Sequence, residues 1–392
     1  MGRWKLLGLN DLISQASINL VMNIGFVMTH RWFVLVLGIV SLAWAGLPAW
    51  SATLYVSPQG LSVAPYASWS NAANTVHAAM GVAADFDTIL LDDGEYALTN
   101  QVVVTSAITI RSKNGPAYTT IDGNNYAGKP VTNRCFWVSN SLAVLSGLTV
   151  TNGAALRSDW NGQGGGVFLV SGTVTNCVVA RNLALGQGGG IAISNANLAG
   201  AGWVRNSLIQ SNTAAEGGGV CAFANAQVDH CFITGNRATT NGGGVQMAMG
   251  GLLVNCVING NSATNANALG GGVYADRIGL NTGAIYSCTI AGNAAAMGGG
   301  VTLNNNTNLS ISNLSVYNSI IYNNTATNNV DRYELSQTNG TVLDGSNYWS
   351  CCVTTNAVGA PATHRWNFTN APIWVSVASN DFRLQSHSIW TA

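Results

Sequence analysis

Charge is what this chain has least of. Only 8% of its 392 residues are charged, and 15 Lys+Arg balance 15 Asp+Glu to a formal net charge of +0. Such a surface offers nucleic acid or anionic lipid no electrostatic footing, so neither is expected as a partner. Lysine is scarce: beyond the N-terminal segment it occurs only as Lys113 and Lys129. Proline is rare too, at 7 residues, while 47% of the chain is hydrophobic. A chain so composed can bury a core, which excludes a disordered polymer. No CxxC or Cys/His spacing suggests a zinc site, and neither metal nor cofactor is expected. What the chain has in plenty is glycine, at 46 residues. It lacks a three-residue period, so collagen is excluded and tight turns or closely stacked backbone remain.

The N-terminus reads as a targeting segment. Residues 33–47 (FVLVLGIVSLAWAGL) are apolar, His30 and Arg31 precede them, and Pro48-Ala49-Trp50-Ser51-Ala52 follows with small residues suited to cleavage. A membrane anchor is the alternative, but the run is shorter than the roughly 20 residues a spanning helix needs. Met28 opens a complete signal sequence by itself, so residues 1–27 are expected to precede the true start. The expected organisation is a leader over 1–51, one solenoid domain over 52–385, and a tail over 386–392. Within the solenoid, an opening module spans 52–125, glycine-rich repeats 147–325 and a closing end 326–385.

The repeats carry the strongest signal. Triple glycines end at Gly166, Gly190, Gly219, Gly244, Gly272 and Gly300, each followed by Val or Ile. A second motif, Cys/Ser-x-Ile/Val-x-x-Asn, ends at Asn182, Asn212, Asn236, Asn261, Asn293 and Asn324, with Asn152 before them. The steps are 30, 30, 24, 25, 32 and 31 residues. A unit this short cannot bury its own apolar face and must stack on its neighbours. Alternation points Val167 and Leu169, Ile191 and Ile193, Val245 and Met247, and Val301 and Leu303 inward, about 4.8 Å from coil to coil. Cys177, Ser207, Cys231, Cys256, Cys288 and Ser319 form a second inward column. Because Ser replaces Cys there, small buried thiols are the expected state, with a disulfide between Cys231 and Cys256 as the alternative. Asn176, Asn206, His230, Asn255, Ser287 and Asn318 stand where a sharp bend needs left-handed backbone, and stacked asparagines there are expected to bond one another.

In the opening module, LYVSPQG is expected as a strand and SWSNAANTVHAAMGVA as a helix capped by Ser68 or Ser70, with DTILLDDGEY a further strand. Strands are also expected over 102–104, 108–110 and 119–121. The helix would cover the open end of the solenoid. Together with SAITIRSKNGPAYTTIDGNN, these segments resemble the opening of pectin-lyase-like right-handed parallel β-helix proteins, over essentially residues 54–385. The resemblance implies an all-β solenoid with an N-terminal capping helix. It is weak for activity, because such proteins include polysaccharide lyases, hydrolases and surface adhesins. The glycine motif also resembles repeats of polymorphic outer-membrane proteins, without their Phe-x-x-Asn motif. NDFRL near the end resembles the closing phrase of bacterial β-helix proteins.

The resemblance implies an active site on an outward strand face. A glycosidase there needs paired carboxylates, and a calcium-dependent lyase needs clustered acids with a base. The outward column before the triple glycines reads Gln163, Gln187, Glu216, Asn241, Leu269, Met297, with one acid. Glu216 with Arg181 or Arg237 is the catalytic candidate, set against a solvated polar ladder. Asp229 and Arg205 are expected to form an exposed ion pair worth little. For ligand binding the candidates are Arg157, Asp159 and Trp160 in one loop and Trp203 in another, set against tryptophans that merely cover the flank. The reading is therefore an exported protein of the bacterial surface or extracellular space that binds or displays. Polysaccharide is the expected partner, and a lyase or glycoside hydrolase is the alternative. Contact with a membrane is expected only through an uncleaved signal segment or an anchor beyond this sequence.

Overall fold

The computed structural model describes residues 51–125, 133–157, 162–194, 202–276, 283–304 and 314–328, with short stretches at 335–337, 348–353, 372, 374–376 and 381–384. The leader lies outside these residues.

One coil shows why the sequence folds as it does. Gly202–Arg205 is a strand, and Asn206 then turns the chain with φ 47°. Leu208–Gln210 follows, Ser211 turns it again with φ 55°, and Thr213–Glu216 leads into the glycine triplet. Val220–Phe223 closes the circuit and the next coil begins at Gln227. Stacking these coils builds four parallel sheets among the described residues. Sheet 1, of eleven strands, runs from Thr53–Val56 to Tyr348–Trp349; sheet 2, of ten, from Gly94–Ala97 to Cys352–Val353. Sheet 3, of seven short strands, contains Thr213–Glu216, and sheet 4, of nine, runs from Val102–Val104 to Leu335–Gln337.

Register keeps like on like. Val174, Val204, Val228, Leu253, Ile285 and Val316 stack in sheet 1. Val179, Ile209, Ile233, Ile258, Ile290 and Ile321 stack in sheet 2. Each is fully buried, and one apolar cluster extends from Leu54 to Val353. Burying each such side chain stabilises the fold by about 1.5–3 kcal/mol. The columns expected to point inward, Val167 and Leu169 with Ile191, Ile193, Val245, Met247, Val301 and Leu303, belong to the same cluster, as do Cys177, Cys231, Cys256 and Cys288.

The bends fall where the sequence places them. Asn176, Asn206, His230, Asn255, Ser287 and Asn318 all have φ between 47° and 53°. Stacked-amide bonding occurs at the other asparagine column instead. Asn212 Oδ1 accepts from the backbone N and Nδ2 of Asn182, both at 3.0 Å. Asn212 N and Nδ2 then donate to Asn236 Oδ1 at 2.9 and 3.0 Å, and Nδ2 also reaches the Val179 carbonyl at 2.9 Å. The pattern continues through Asn261, Asn293 and Asn324. These asparagines point inward and need every polar atom satisfied, whereas Asn176 and its counterparts point to solvent, where Asn255 Nδ2 meets His230 Nε2 of the adjacent rung at 3.4 Å.

The opening module has its expected strands but a shorter helix, with another cap, than expected. Its strands Thr88–Leu91, Val102–Val104, Thr109–Ser112 and Thr119–Asp122 join the same sheets as the repeats. Only Val76–Met80 is helical, labelled α1, and its cap is Thr75, whose side chain accepts from Ala78 N at 3.1 Å. Ahead of it the chain turns, and Ala73 pairs with Val56 and exchanges backbone bonds with Tyr55 and Ser57, which keeps that stretch out of the helix. At the other end, where the sequence repeat fades, Ile320–Tyr322 still pairs with Cys352–Val353. The NDFRL segment forms an antiparallel pair, Trp374–Ser376 with Asp381–Leu384.

Candidate functional site

Each chain passage from sheet 3 to sheet 4 presents one side chain before its glycines, and stacking brings these into a ladder. Gln163 Nε2 donates to Gln187 Oε1 at 3.2 Å, and Gln187 Nε2 to Glu216 Oε2 at 2.9 Å. Asn241 Nδ2 donates to Glu216 Oε1 at 3.2 Å, while Asn241 Oδ1 accepts from Leu269 N at 3.1 Å. A third donor reaches the carboxylate from sheet 4: Gln246 Nε2, 2.8 Å from Glu216 Oε2. Gln246 is itself buried and its Oε1 accepts the Cys221 thiol at 3.3 Å. Burial first, and the Glu216 charge second, push the Cys221 thiol well above its ordinary range. Gln246 and Cys221 are absent from the sequence candidates. Their signal is alternation: the second residue after each glycine triplet must face out if the first faces in.

This arrangement is good at holding a carboxylate and poor at using it. Three amide donors occupy the acceptor positions of Glu216, and the group has no companion acid in its ladder. Arg181 is exposed at the bend between sheets 2 and 3. Arg237, also exposed, pairs in register with Thr213 at the start of Arg237–Asn241. That is four residues from Asn241, roughly 13 Å along the strand from Glu216's row. Neither arginine forms an ion pair with Glu216. Among the described residues, no three His, Cys, Asp or Glu side chains converge on one point.

The binding candidates separate as well. Asp159 and Trp160 lie outside the described residues, and Arg157 is exposed at the edge of them. Trp203 faces out from sheet 1, but the Arg205 guanidinium lies 3.7 Å from its ring centroid and covers one face. That stacking also replaces the expected ion pair: Arg205 and Asp229 are in register, yet Asp229 Oδ1 bonds His230 Nδ1 at 2.6 Å instead. His230, with φ 51°, is a bend residue. The column cysteines are free and buried.

No family model matches the chain, and no curated protein matches it in sequence. Solved structures match in fold. The crystal structure of pectate lyase Pel9A aligns over 88% of this chain and 92% of its own, with a TM-score of 0.52 and 18% identity. A rhamnogalacturonan lyase aligns over 86% and 97% with a TM-score of 0.41 and 12% identity. Pectin methylesterase PemA from Erwinia chrysanthemi aligns over 74% and 94%, with a TM-score of 0.40 and 10% identity. Likeness at such identity is likeness of fold. The chain has the all-β, pectin-lyase-like parallel β-helix fold, as its repeats imply.

Proposed function

We propose that the protein is an exported β-solenoid that holds a polysaccharide on its outer face without cleaving it. One observation carries this reading: the single carboxylate of the outer ladder is filled by amide donors from Gln187, Asn241 and Gln246, with no second acid and no arginine beside it. A general acid or base needs a proton site open to substrate, and here three amide donors from its own neighbours compete with substrate for the carboxylate. The outer ladder is otherwise uncharged and rich in amides, which suits hydroxyl-bearing ligands. Export rests on the apolar run 33–47 and the small residues after it. No helix among the described residues is long and apolar enough to cross a membrane. Fold likeness to a pectate lyase favours a second reading, an enzyme of polysaccharide cleavage, with Glu216 as the acid to replace first.

The test follows retention, reducing ends and unsaturated-uronate absorbance together on a panel of acidic and neutral polysaccharides. Retention without product is expected, changed less than about twofold by Glu216→Gln. Product that disappears in Glu216→Gln would establish the enzyme reading in its place.

A further inference from the structure

The outer face of sheet 1 carries a groove that begins one coil beyond Trp203, which pairs in register with its first floor residue, Gln227. Its floor is one register column, Gln227, Leu252, Ala284 and Ser315, from four successive coils. Ala284 is small, so the floor is shallow between the Leu252 and Ser315 side chains. Along one flank Tyr286 and Tyr317 occupy equivalent positions on adjacent coils. Their rings are stacked, with centroids 4.9 Å apart and planes 7° from parallel. Tyr286 stays 39% exposed. The space measures ≈ 570 Å³, within the roughly 300–1,000 Å³ of ligand sites generally.

We propose that this groove binds an uncharged glycan chain running along the solenoid axis, with a sugar ring against Tyr286. Three observations carry it. First, among the described residues no Asp, Glu, Lys or Arg lines the groove. An acidic chain would lose hydration there with no cation to meet it, which disfavours a uronate polymer. Second, Asn225, Gln227 and Ser315 line it with side chains that make no hydrogen bond to the described residues, leaving amide and hydroxyl groups for ligand hydroxyls. An exposed aromatic pair beside them offers electron-rich faces to the polarised C–H groups on the apolar side of a pyranose. Third, the coils repeat at about 4.8 Å, close to the advance of one pyranose residue in an extended chain. Successive coils can therefore meet successive sugars in the same way.

The inference rests on the proposed polysaccharide-binding role and locates it. The experiment is calorimetric titration of the full chain with cellohexaose, xylohexaose, mannohexaose and hexagalacturonate, repeated on Tyr286→Ala, Tyr286→Phe and Gln227→Ala. At least one neutral hexamer is expected to bind, weakening about tenfold or more in Tyr286→Ala and staying within about threefold in Tyr286→Phe. The melting temperature should be unchanged in Tyr286→Phe, which keeps the stacked ring, and should fall by a few degrees at most in Tyr286→Ala. Gln227→Ala should weaken the same hexamer. Neutral binding unaffected by both alanine variants overturns this site while leaving the polysaccharide-binding role intact. Binding of hexagalacturonate alone overturns the uncharged class. If no hexamer binds and no polysaccharide is retained, both readings fall.

Discussion

Cysteine and serine alternate in one buried column because the site asks for a small donor. Ser207 Oγ donates to the Arg205 carbonyl at 2.6 Å and Ser319 Oγ to the Tyr317 carbonyl at 2.8 Å. Cys231 and Cys288 do the same through Sγ, to the carbonyls of Asp229 and Tyr286, both at 3.3 Å. Such thiols are kept protonated: burial pushes the Cys177 thiol up to about 11, against an ordinary value of about 8.5. A raised folded-state value means the native state favours the neutral thiol. Its stabilising contribution is complete below the unfolded-state value and is lost as pH climbs from there to about 11. The melting temperature under reductant is therefore expected to fall across that window, and Cys177→Ser should fall less steeply. Equal slopes for the two proteins would remove this thiol from the account. Ellman's reagent should find the buried thiols unreactive until denaturant is added. At this scale the sequence was informative, because substitution of Cys by Ser at one rung already argues against a fixed disulfide. Asp229 was misread for a local reason: its neighbour His230 reaches it before the cross-strand Arg205 does.

The coil depends on two motifs that look independent along the chain. A Cβ on Gly219 would lie 2.7 Å from the Gly244 carbonyl oxygen and 2.9 Å from Asn236 Nδ2. Gly217, by contrast, is needed for its left-handed φ of 59°. The third glycine of the triplet thus makes room for the inward asparagine ladder. Removing Asn236 leaves Asn212 N and Nδ2 and the Ile209 carbonyl without their partner. Each buried orphan costs about 1–3 kcal/mol, so Asn236→Leu should destabilise by roughly 3–5 kcal/mol in urea titration. Gly219→Ala should be comparably damaging, while Asn255→Ser, at a solvent-facing bend, should cost under about 1 kcal/mol. Similar midpoints for Asn236→Leu and Asn255→Ser would show that the ladder is not the stronger device. Both motifs and their period are plain in the sequence. Their meeting is not, because it depends on which coil lies above which. The capping stretch shows the opposite failure: 68–83 has helical spacing, but pairing of Ala73 with Val56 takes its first half out of the helix.

For the whole molecule, the uniform register makes a coil the unit of construction. Leu183 pairs with Thr213, Val178–Ala180 with Leu208–Gln210, and these in turn with Phe232–Thr234. Removing residues 183–212 therefore joins Asn182 to Thr213 at equivalent positions, and the flanking coils can stack directly. In a solenoid whose stability sums over neighbouring units, such a deletion should leave the β circular-dichroism spectrum intact and lower the melting temperature by a few degrees. Removing residues 183–197 instead leaves half a coil: it takes Leu183–Ala184 from sheet 3 and Ile191–Ile193 from sheet 4 but keeps the strands of sheets 1 and 2, so the coil cannot close and the cooperative transition should be lost. The full-coil deletion also discards Trp203, Arg205 and Gln187 while keeping Glu216, Gln227, Tyr286 and Tyr317. If glycan retention survives it, the flank tryptophan is irrelevant to binding and the groove on sheet 1 carries the function. If retention disappears while the fold persists, Trp203 is reinstated as a ligand residue. The period was enough to define the deletable unit from sequence. The groove was not legible there, because Gln227, Ala284, Tyr286 and Tyr317 come together only across coils of unequal length, through the register that stacks them.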